Sequence, residues 1–143
     1  MNSNLKDFIE VTPLRRINTP GGDVLKVLMK NENSFNNFGE AYISEVFPGI
    51  VKAWKLHYKM TLNLIVIKGK VKFVFCNDNN GKFEFREEVI GDHRYARITV
   101  KPGLWFGFKG IDKETSKILN IANILHDPKE VSRRAVQEIN YNW

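Results

Sequence analysis

The sequence contains 143 residues, of which 43% are hydrophobic and 12% aromatic, and it carries a net charge of +6. This composition excludes a disordered chain, and the length predicts one domain over residues 1–143 with a sizeable core. The 22 basic residues are spread along the chain without a nucleic-acid-binding motif, so we expect no nucleic-acid partner. No apolar stretch has the length of a signal peptide or a membrane span, which predicts a cytoplasmic protein without membrane contact.

Short stretches rich in β-branched and aromatic residues recur along the chain, and turn sequences separate them. We expect ten strands, at residues 8–13, 24–30, 40–47, 51–58, 61–68, 70–77, 82–88, 95–101, 104–109 and 117–125. Two segments predict short helical structure. Residues 34–38 would form one turn, and residues 127–139 begin with Asp127 as an N-cap before Pro128, although this segment is also compatible with irregular structure.

Ten short strands with so little helix to cover a sheet predict an all-β jelly-roll barrel or sandwich of the cupin type, with one or two short helical segments. In such a fold two sheets bury their apolar faces against each other. A barrel of this kind can also enclose a cavity that holds one small ligand among inward-pointing side chains.

The stretch VKAWKLHYKM places one histidine among three lysines in a predicted strand. Because side chains alternate across a strand, Lys55, His57 and Lys59 should share one face, and Lys52 should share the other face with Trp54. If the first face points into a barrel, Lys55 and His57 lie about 7 Å apart at the mouth of a pocket. In the alternative interpretation, the lysines form a solvated edge that discourages pairing with another strand.

The run FGEAYISEVFPGIVKAWKLHYKMTLN, the KGKV step at 68–71 and KPGLWFGFKG at 101–110 resemble the cupin-fold dTDP-4-dehydrorhamnose 3,5-epimerases and their shorter relatives. The resemblance covers the chain from about residue 10 to the terminal INYNW. It implies a homodimeric epimerase or isomerase that acts on a 4-keto-6-deoxy sugar carried by a nucleoside diphosphate, with dTDP as the nucleotide. Such an enzyme would supply a deoxysugar for surface polysaccharide.

Metal-binding cupins place two histidines as His-x-His, then a glutamate and a third histidine. The resemblance puts Lys55, His57, Leu62 or Asn63, and Phe106 at these positions. A competent metal site needs at least three protein donors, and this set offers a single one. We therefore expect a pocket without a metal ion and an enzyme without a cofactor.

The resemblance also implies catalytic roles. In the epimerases, the histidine of a Leu-His-Tyr step removes a proton next to the C4 ketone, and His57 occupies that place. Neighbouring lysines would keep its imidazole neutral, and the ammonium group of Lys55 would stabilise the enolate oxygen. Lys109 occupies the position of the family's proton-returning tyrosine, so it is a candidate proton donor or enolate partner.

A second family feature is missing, in addition to the tyrosine that Lys109 replaces. The epimerases carry an Asp-x-Arg-Gly motif whose arginine contacts the phosphates of the nucleotide, and residues 20–23 of this chain read PGGD instead. Double epimerisation at C3 and C5, a single epimerisation and a keto-sugar isomerisation therefore all stay open.

Four further residues are candidates for substrate binding. Lys59 would contact a phosphate, and an exposed Trp105 would stack on the nucleotide base. Asn63 and Asn120 interrupt apolar strands, so their amides must find partners in the backbone, a sugar hydroxyl or water. The same basic pocket fits a non-catalytic sugar- or nucleotide-binding cupin, which is the alternative to the epimerase.

Overall fold

The computed structural model describes residues 4–143. Twelve strands occur in this part of the chain: β1 (Ile9–Pro13), β2 (Arg16–Ile17), β3 (Val24–Leu25), β4 (Glu40–Val46), β5 (Val51–His57), β6 (Leu62–Lys68), β7 (Lys70–Asn79), β8 (Lys82–Gly91), β9 (Ala96–Val100), β10 (Trp105–Gly110), β11 (Ser116–Ala122) and β12 (Val131–Arg133). Short 3₁₀ turns cover Leu5–Asp7, Pro128–Glu130 and Val136–Glu138. No helix among the described residues is long and apolar enough to cross a membrane.

The strands form two five-stranded antiparallel sheets. The first sheet has the order β1-β9-β6-β11-β4 and the second has the order β12-β5-β10-β7-β8, while β2 and β3 form a separate small hairpin. The main core lies between the sheets, where Leu62 and Leu64 of β6 belong to the same buried cluster as Phe73 and Phe75 of β7. The predicted all-β sandwich is confirmed.

A second apolar cluster lies on the outer face of the second sheet. Trp54 and Trp105 pack there with Ile139, and Tyr141 and Trp143 pack against them. The segment after β12 therefore covers this face, which would otherwise expose large aromatic side chains to water.

Two local predictions for the segment before β4 need correction. The strand predicted at 24–30 is limited to Val24–Leu25. The turn predicted at 34–38 lies earlier, because the N–H of Glu32 donates to Met29 and that of Phe35 donates to Glu32. Residues 35–39 have no regular structure.

The segment 127–139 is not one helix. Asp127 does cap a turn, because its side chain accepts a hydrogen bond from the N–H of Lys129, but this turn ends at Glu130. The chain then becomes β12 and pairs with β5. Pairing with the edge of a sheet outweighs the weak local preference for helix, since most helical stability in proteins comes from packing an apolar face.

A bulge in β5 changes which side chains face the core. Phe106 pairs with Lys55 and Phe108 pairs with Lys52, so two residues of β5 lie opposite the single Gly107. Directly opposite residues of an antiparallel pair project to the same side. Lys52 and Lys55 therefore both project between the two sheets, and the prediction that Lys52 shares the face of Trp54 is wrong.

Candidate active site

A cavity of about 420 Å³ lies between the two sheets. Its lining combines polar side chains of β4 and β11 with basic side chains from β5 and from the end of β12, and with aromatic rings of β10. The lining residues are Tyr42, Ser44, Lys52, Ala53, Trp54, Lys55, Leu64, Phe106, Phe108, Ile118, Asn120, Arg133 and Arg134. A second cavity of about 280 Å³ adjoins it and is lined by Glu40, Tyr42, Lys55, His57, Met60, His126, Val131 and Arg133.

His57 and Glu130 form a buried pair beside this second cavity. The two side chains are 7% and 2% exposed, and His57 Nδ1 lies 2.5 Å from Glu130 Oε1. Glu130 Oε2 also accepts hydrogen bonds from the N–H groups of Lys59 and Met60, each at 3.1 Å. The carboxylate can only accept, so Nδ1 carries the proton and Nε2 is left as the basic nitrogen. Nε2 is buried and has no hydrogen-bond partner among residues 4–143.

The surroundings favour a neutral imidazole and an ionised carboxylate. Burial lowers the pKa of His57. The hydrogen bond to Glu130 and the negative charge of that carboxylate oppose this shift, whereas the positive charges of Lys55 and Arg133 lower the pKa further. Burial alone would raise the pKa of Glu130, but its hydrogen bonds from His57, Lys59 and Met60 hold the pKa below the usual range. The pair therefore has the protonation state of a general base near neutral pH.

Four basic side chains line the larger cavity. Lys52 Nζ donates to the carbonyl of Glu45 at 3.0 Å, and Arg134 pairs with Asp78 at 3.3 Å. Lys55 and Arg133 lie opposite each other on β5 and β12. Burial and the charges of Arg133 and Lys52 lower the pKa of Lys55. Such a surface favours an anionic ligand.

A tyrosine and an amide face these cations from the first sheet. Asn120 Nδ2 donates to the hydroxyl of Tyr42 at 2.7 Å, and Asn120 Oδ1 is buried without a partner among residues 4–143. Tyr42 lines both cavities. Burial raises the pKa of Tyr42, so its hydroxyl keeps its proton and can donate it.

The structure brings three of the predicted site residues to the cavities: His57, Lys55 and Asn120. Lys59 follows the end of β5 and its side chain is exposed. Its contribution is its backbone N–H, which holds Glu130. Of the three residues predicted to share one face, Lys55 and His57 therefore do so, and Lys59 does not.

Three other predicted residues lie elsewhere. Trp105 and Lys109 project from the outer face of the second sheet, because they alternate with the inward-facing Phe106 and Phe108. Trp105 is covered by the guanidinium of Arg134, 4.5 Å from the ring centre, and is not an exposed stacking platform.

Asn63 lies on the outer face of the first sheet. Its amide donates to the carbonyl of Ser34 at 3.0 Å, and it accepts from the hydroxyl of Thr99 at 2.6 Å. This amide therefore helps to hold the segment around Ser34 against the sheet and does not line the cavities.

Sequence reasoning missed Glu130, Tyr42 and Arg133. Glu130 and Arg133 lie in the segment predicted as short helical structure, where no cavity was expected, and Tyr42 lies in a predicted strand in which no site residue was expected. A strand prediction for VSR would have placed Arg133 opposite Lys55. Among residues 4–143, no group of three or more His, Cys, Asp or Glu side chains is placed to hold a metal ion.

Comparison with known proteins gives consistent relatives, although no protein-family model matches the chain. It is 28% identical to the probable low-salt glycan biosynthesis epimerase Agl13 of Haloferax volcanii over 129 residues, which are 87% of this chain and 82% of the relative. The crystal structure of a dTDP sugar isomerase from Desulfovibrio desulfuricans superposes with a TM-score of 0.87 at 29% identity, covering 94% of this chain and 90% of the other.

The fold is also that of a dTDP-4-dehydrorhamnose 3,5-epimerase from Sulfolobus tokodaii. That structure superposes with a TM-score of 0.82 at 15% identity, and the match covers 97% of this chain and 84% of the other. The predicted cupin architecture is therefore confirmed. Together these similarities confirm the resemblance of the chain to sugar epimerases and isomerases with this fold.

Proposed function

We propose that this protein is a metal-independent epimerase or isomerase that removes a proton next to the C4 ketone of a 4-keto-6-deoxy sugar carried by a nucleoside diphosphate. The observation that carries the proposal is the buried His57–Glu130 pair beside a cavity with a positively charged surface. The dTDP sugar isomerase and the glycan biosynthesis epimerase to which the chain is similar support this substrate class and a place in polysaccharide synthesis.

His57 would act as the base through Nε2. Glu130 holds Nδ1, which fixes the ring and stabilises the imidazolium that forms when the sugar carbon loses its proton. The negative charge that develops on the ketone oxygen would be stabilised from the basic surface of the cavity. This arrangement gives the histidine of the Leu-His-Tyr step a base's role.

Tyr42 is our candidate for returning the proton, in place of Lys109. Tyr42 belongs to the first sheet and His57 to the second, and both line the smaller cavity. A sugar bound between the sheets would meet the base and the hydroxyl on different faces, and reprotonation from the opposite face inverts the carbon. The position of Tyr42 thus favours epimerisation over an isomerisation that stays on one face.

The diphosphate would bind at the basic surface formed by Lys52 and Arg133. Guanidinium and ammonium groups pair well with phosphate oxygens. Arg133 has no ion pair among the described residues, so its guanidinium is free to pair with a phosphate group. These residues would supply the positive charge that the arginine of the Asp-x-Arg-Gly motif provides in the dTDP-4-dehydrorhamnose 3,5-epimerases.

The test is solvent exchange. In deuterated water with dTDP-4-keto-6-deoxyglucose, we expect the protein to introduce deuterium at C3, C5 or both, detected by mass spectrometry and NMR. His57→Asn should abolish incorporation and keep the fold, because asparagine cannot accept the proton. His93→Asn, at an exposed turn outside both cavities, is the matched control and should keep full exchange.

The opposite result would identify the alternative function. Tight binding of the sugar nucleotide without incorporation of label, under conditions in which an authentic epimerase incorporates it, would show a sugar- or nucleotide-binding cupin. Full exchange in His57→Asn would contradict the assignment of the base. The homodimer that the resemblance implies and the cytoplasmic location expected from the sequence belong to the same proposal, and light scattering on the purified protein tests the first.

A further inference from the structure

Lys55 is one of two basic residues of the cavity, with Arg133, that no described residue holds by a hydrogen bond or ion pair. It lines both cavities, yet none of the described residues forms a hydrogen bond or an ion pair with its amine. Lys52 and Arg134, by contrast, are each held by an oxygen atom of the protein. The amine of Lys55 is therefore free to move toward a ligand, and it is the only amine among the unheld basic groups of the cavity, because Arg133 carries a guanidinium.

The environment of this amine also favours its uncharged form. Burial lowers the pKa of Lys55, and the positive charges of Arg133 and Lys52 lower it further, with Glu130 opposing them. A lysine that is desolvated or next to another cation becomes a nucleophile toward carbonyl carbon, whereas an ammonium ion does not. The substrate class proposed above contains such a carbon, the C4 ketone.

We propose that Lys55 forms a covalent imine with the C4 ketone of the substrate; this inference rests on the proposed function. Its nitrogen adds to the carbonyl carbon, and the carbonyl oxygen leaves as water after taking up two protons. His57 then removes the proton from the adjacent carbon, and the electron pair of that C–H bond moves toward the positive nitrogen, which gives an enamine. Reprotonation at carbon restores the iminium ion, and water adds to it and releases the ketone and the amine.

The position of His57 suits this sequence of steps. His57 is two residues after Lys55 on the same face of β5, beyond the bulge, so the two side chains begin about 7 Å apart. A carbon bound to the lysine nitrogen and its neighbouring carbon can fit between them. An iminium nitrogen also accepts the electron pair of the broken C–H bond more readily than a ketone oxygen beside an ammonium ion does. Lys55 would therefore activate the substrate in this pocket, as the metal ion does in other cupins.

The experiment traps the imine. The protein is incubated with dTDP-4-keto-6-deoxyglucose and sodium cyanoborohydride, which reduces iminium ions in preference to ketones, and intact mass and peptide mapping follow. We expect a secondary amine that links the sugar nucleotide to Lys55. Lys55→Arg keeps the positive charge and cannot form the imine, so it should lose both the adduct and deuterium exchange. Lys109→Arg, on the outer face of the sheet, should keep both.

Parallel measurement of deuterium exchange separates this inference from the proposed function. Exchange without an adduct in the wild-type protein, or exchange retained in Lys55→Arg, would overturn the imine and leave Lys55 as a positive charge beside the enolate. An adduct at Lys55 without exchange would support the imine and contradict the epimerase. If the folded wild-type protein shows neither the adduct nor deuterium exchange, both proposals are overturned.

Discussion

His57 acquires its proposed role from a residue 73 positions away in the sequence. Its own strand supplies an apolar setting and the neighbouring amine of Lys55. The orientation of its ring depends on Glu130, which is fixed in turn by the backbone N–H groups of Lys59 and Met60. A histidine in this setting is held in one tautomer before any substrate arrives, which lowers the reorganisation needed for proton transfer.

Glu130→Gln should change the pH dependence of exchange. Glu130 raises the pKa of His57 by its hydrogen bond and its charge, so its neutralisation lowers that pKa. The acid limb of the exchange rate should therefore move to lower pH, while the maximal rate falls by about 10²-fold or more as orientation is lost.

Glu32→Gln is the matched control for this change. Glu32 pairs with the buried Arg97 at 2.9 Å on the other sheet, so its replacement should lower stability and leave the pH profile in place. An acid limb that does not move in Glu130→Gln would show that the carboxylate does not act on the base.

At this scale strand alternation gave the shared face of Lys55 and His57, which line the cavities, whereas Asn120 was chosen only as an amide in an apolar strand. Lys109 and Trp105 were misplaced because the resemblance gave their positions along the chain but not the side of β10 from which they project. Lys52 was misplaced for a related reason: a bulge changes the alternation, and nothing in the letters of β5 marks it.

The strand β12 has only three residues, yet it carries or adjoins two of the groups on which the site depends. Glu130 immediately precedes it and Arg133 ends it. It is an edge strand, and backbone bonds between Arg134 and Trp54 in both directions continue its pairing with β5. Sequence reasoning could not find it, because so short a strand exists only through its partner.

Ser132→Pro tests the contribution of this element. The N–H of Arg134 points to β5, and residues two apart in a strand direct their N–H groups to the same side, so the N–H of Ser132 also points to β5. Proline at position 132 removes this hydrogen-bond donor. We expect a loss of about 1–3 kcal/mol in the free energy of unfolding. Displacement of Glu130 by about 1 Å would lower exchange by about 10²-fold.

Ser132→Ala provides the comparison, with urea unfolding and exchange as the measurements. It removes only the contact of the serine hydroxyl with the Tyr58 hydroxyl at 2.6 Å, which is exposed. Exchange in this variant should stay near that of the wild-type protein. If Ser132→Pro also exchanged normally, β12 would not be the element that positions Glu130.

For the whole molecule, the alternation of apolar residues and the turn sequences were enough to predict an all-β sandwich, because two-sheet packing is the way to bury so many short strands. The pairing order of the strands did not follow from the sequence. β5 lies between β10 and β12, and β6 lies between β9 and β11. Such contacts between distant segments have no local signal, so the location of the cavity could be found only in the structure.

The buried pair also makes the stability of the molecule depend on pH. The folded pKa of His57 lies below its ordinary value of about 6.5, so below that pH the unfolded chain binds a proton that the folded chain does not. The free energy of unfolding should therefore fall as the pH decreases through the ordinary pKa of histidine, about 6.5. The lowered pKa of Glu130 adds a second loss, below its ordinary range near pH 4.

Urea unfolding of the wild-type protein and of His57→Asn at pH values above and below the ordinary pKa of histidine measures the first effect. The variant has no imidazole at this position, so its stability should depend less on pH in this range. Equal pH dependence in the two proteins would mean that the burial of His57 contributes nothing to the acid sensitivity of the fold.

The close approach of Gly107 to the bulge has a consequence for other sequences of this kind. A Cβ atom at Gly107 would lie 2.4 Å from the Cβ of Ala53, so the two positions share a fixed volume and the side chain at one limits the other. We expect them to vary together among related proteins, with a small residue at both wherever the bulge is kept. In an alignment, small residues at the positions of both Ala53 and Gly107 would then identify the relatives that keep the bulge. In those relatives the residue at the position of Lys52 should project into the cavity.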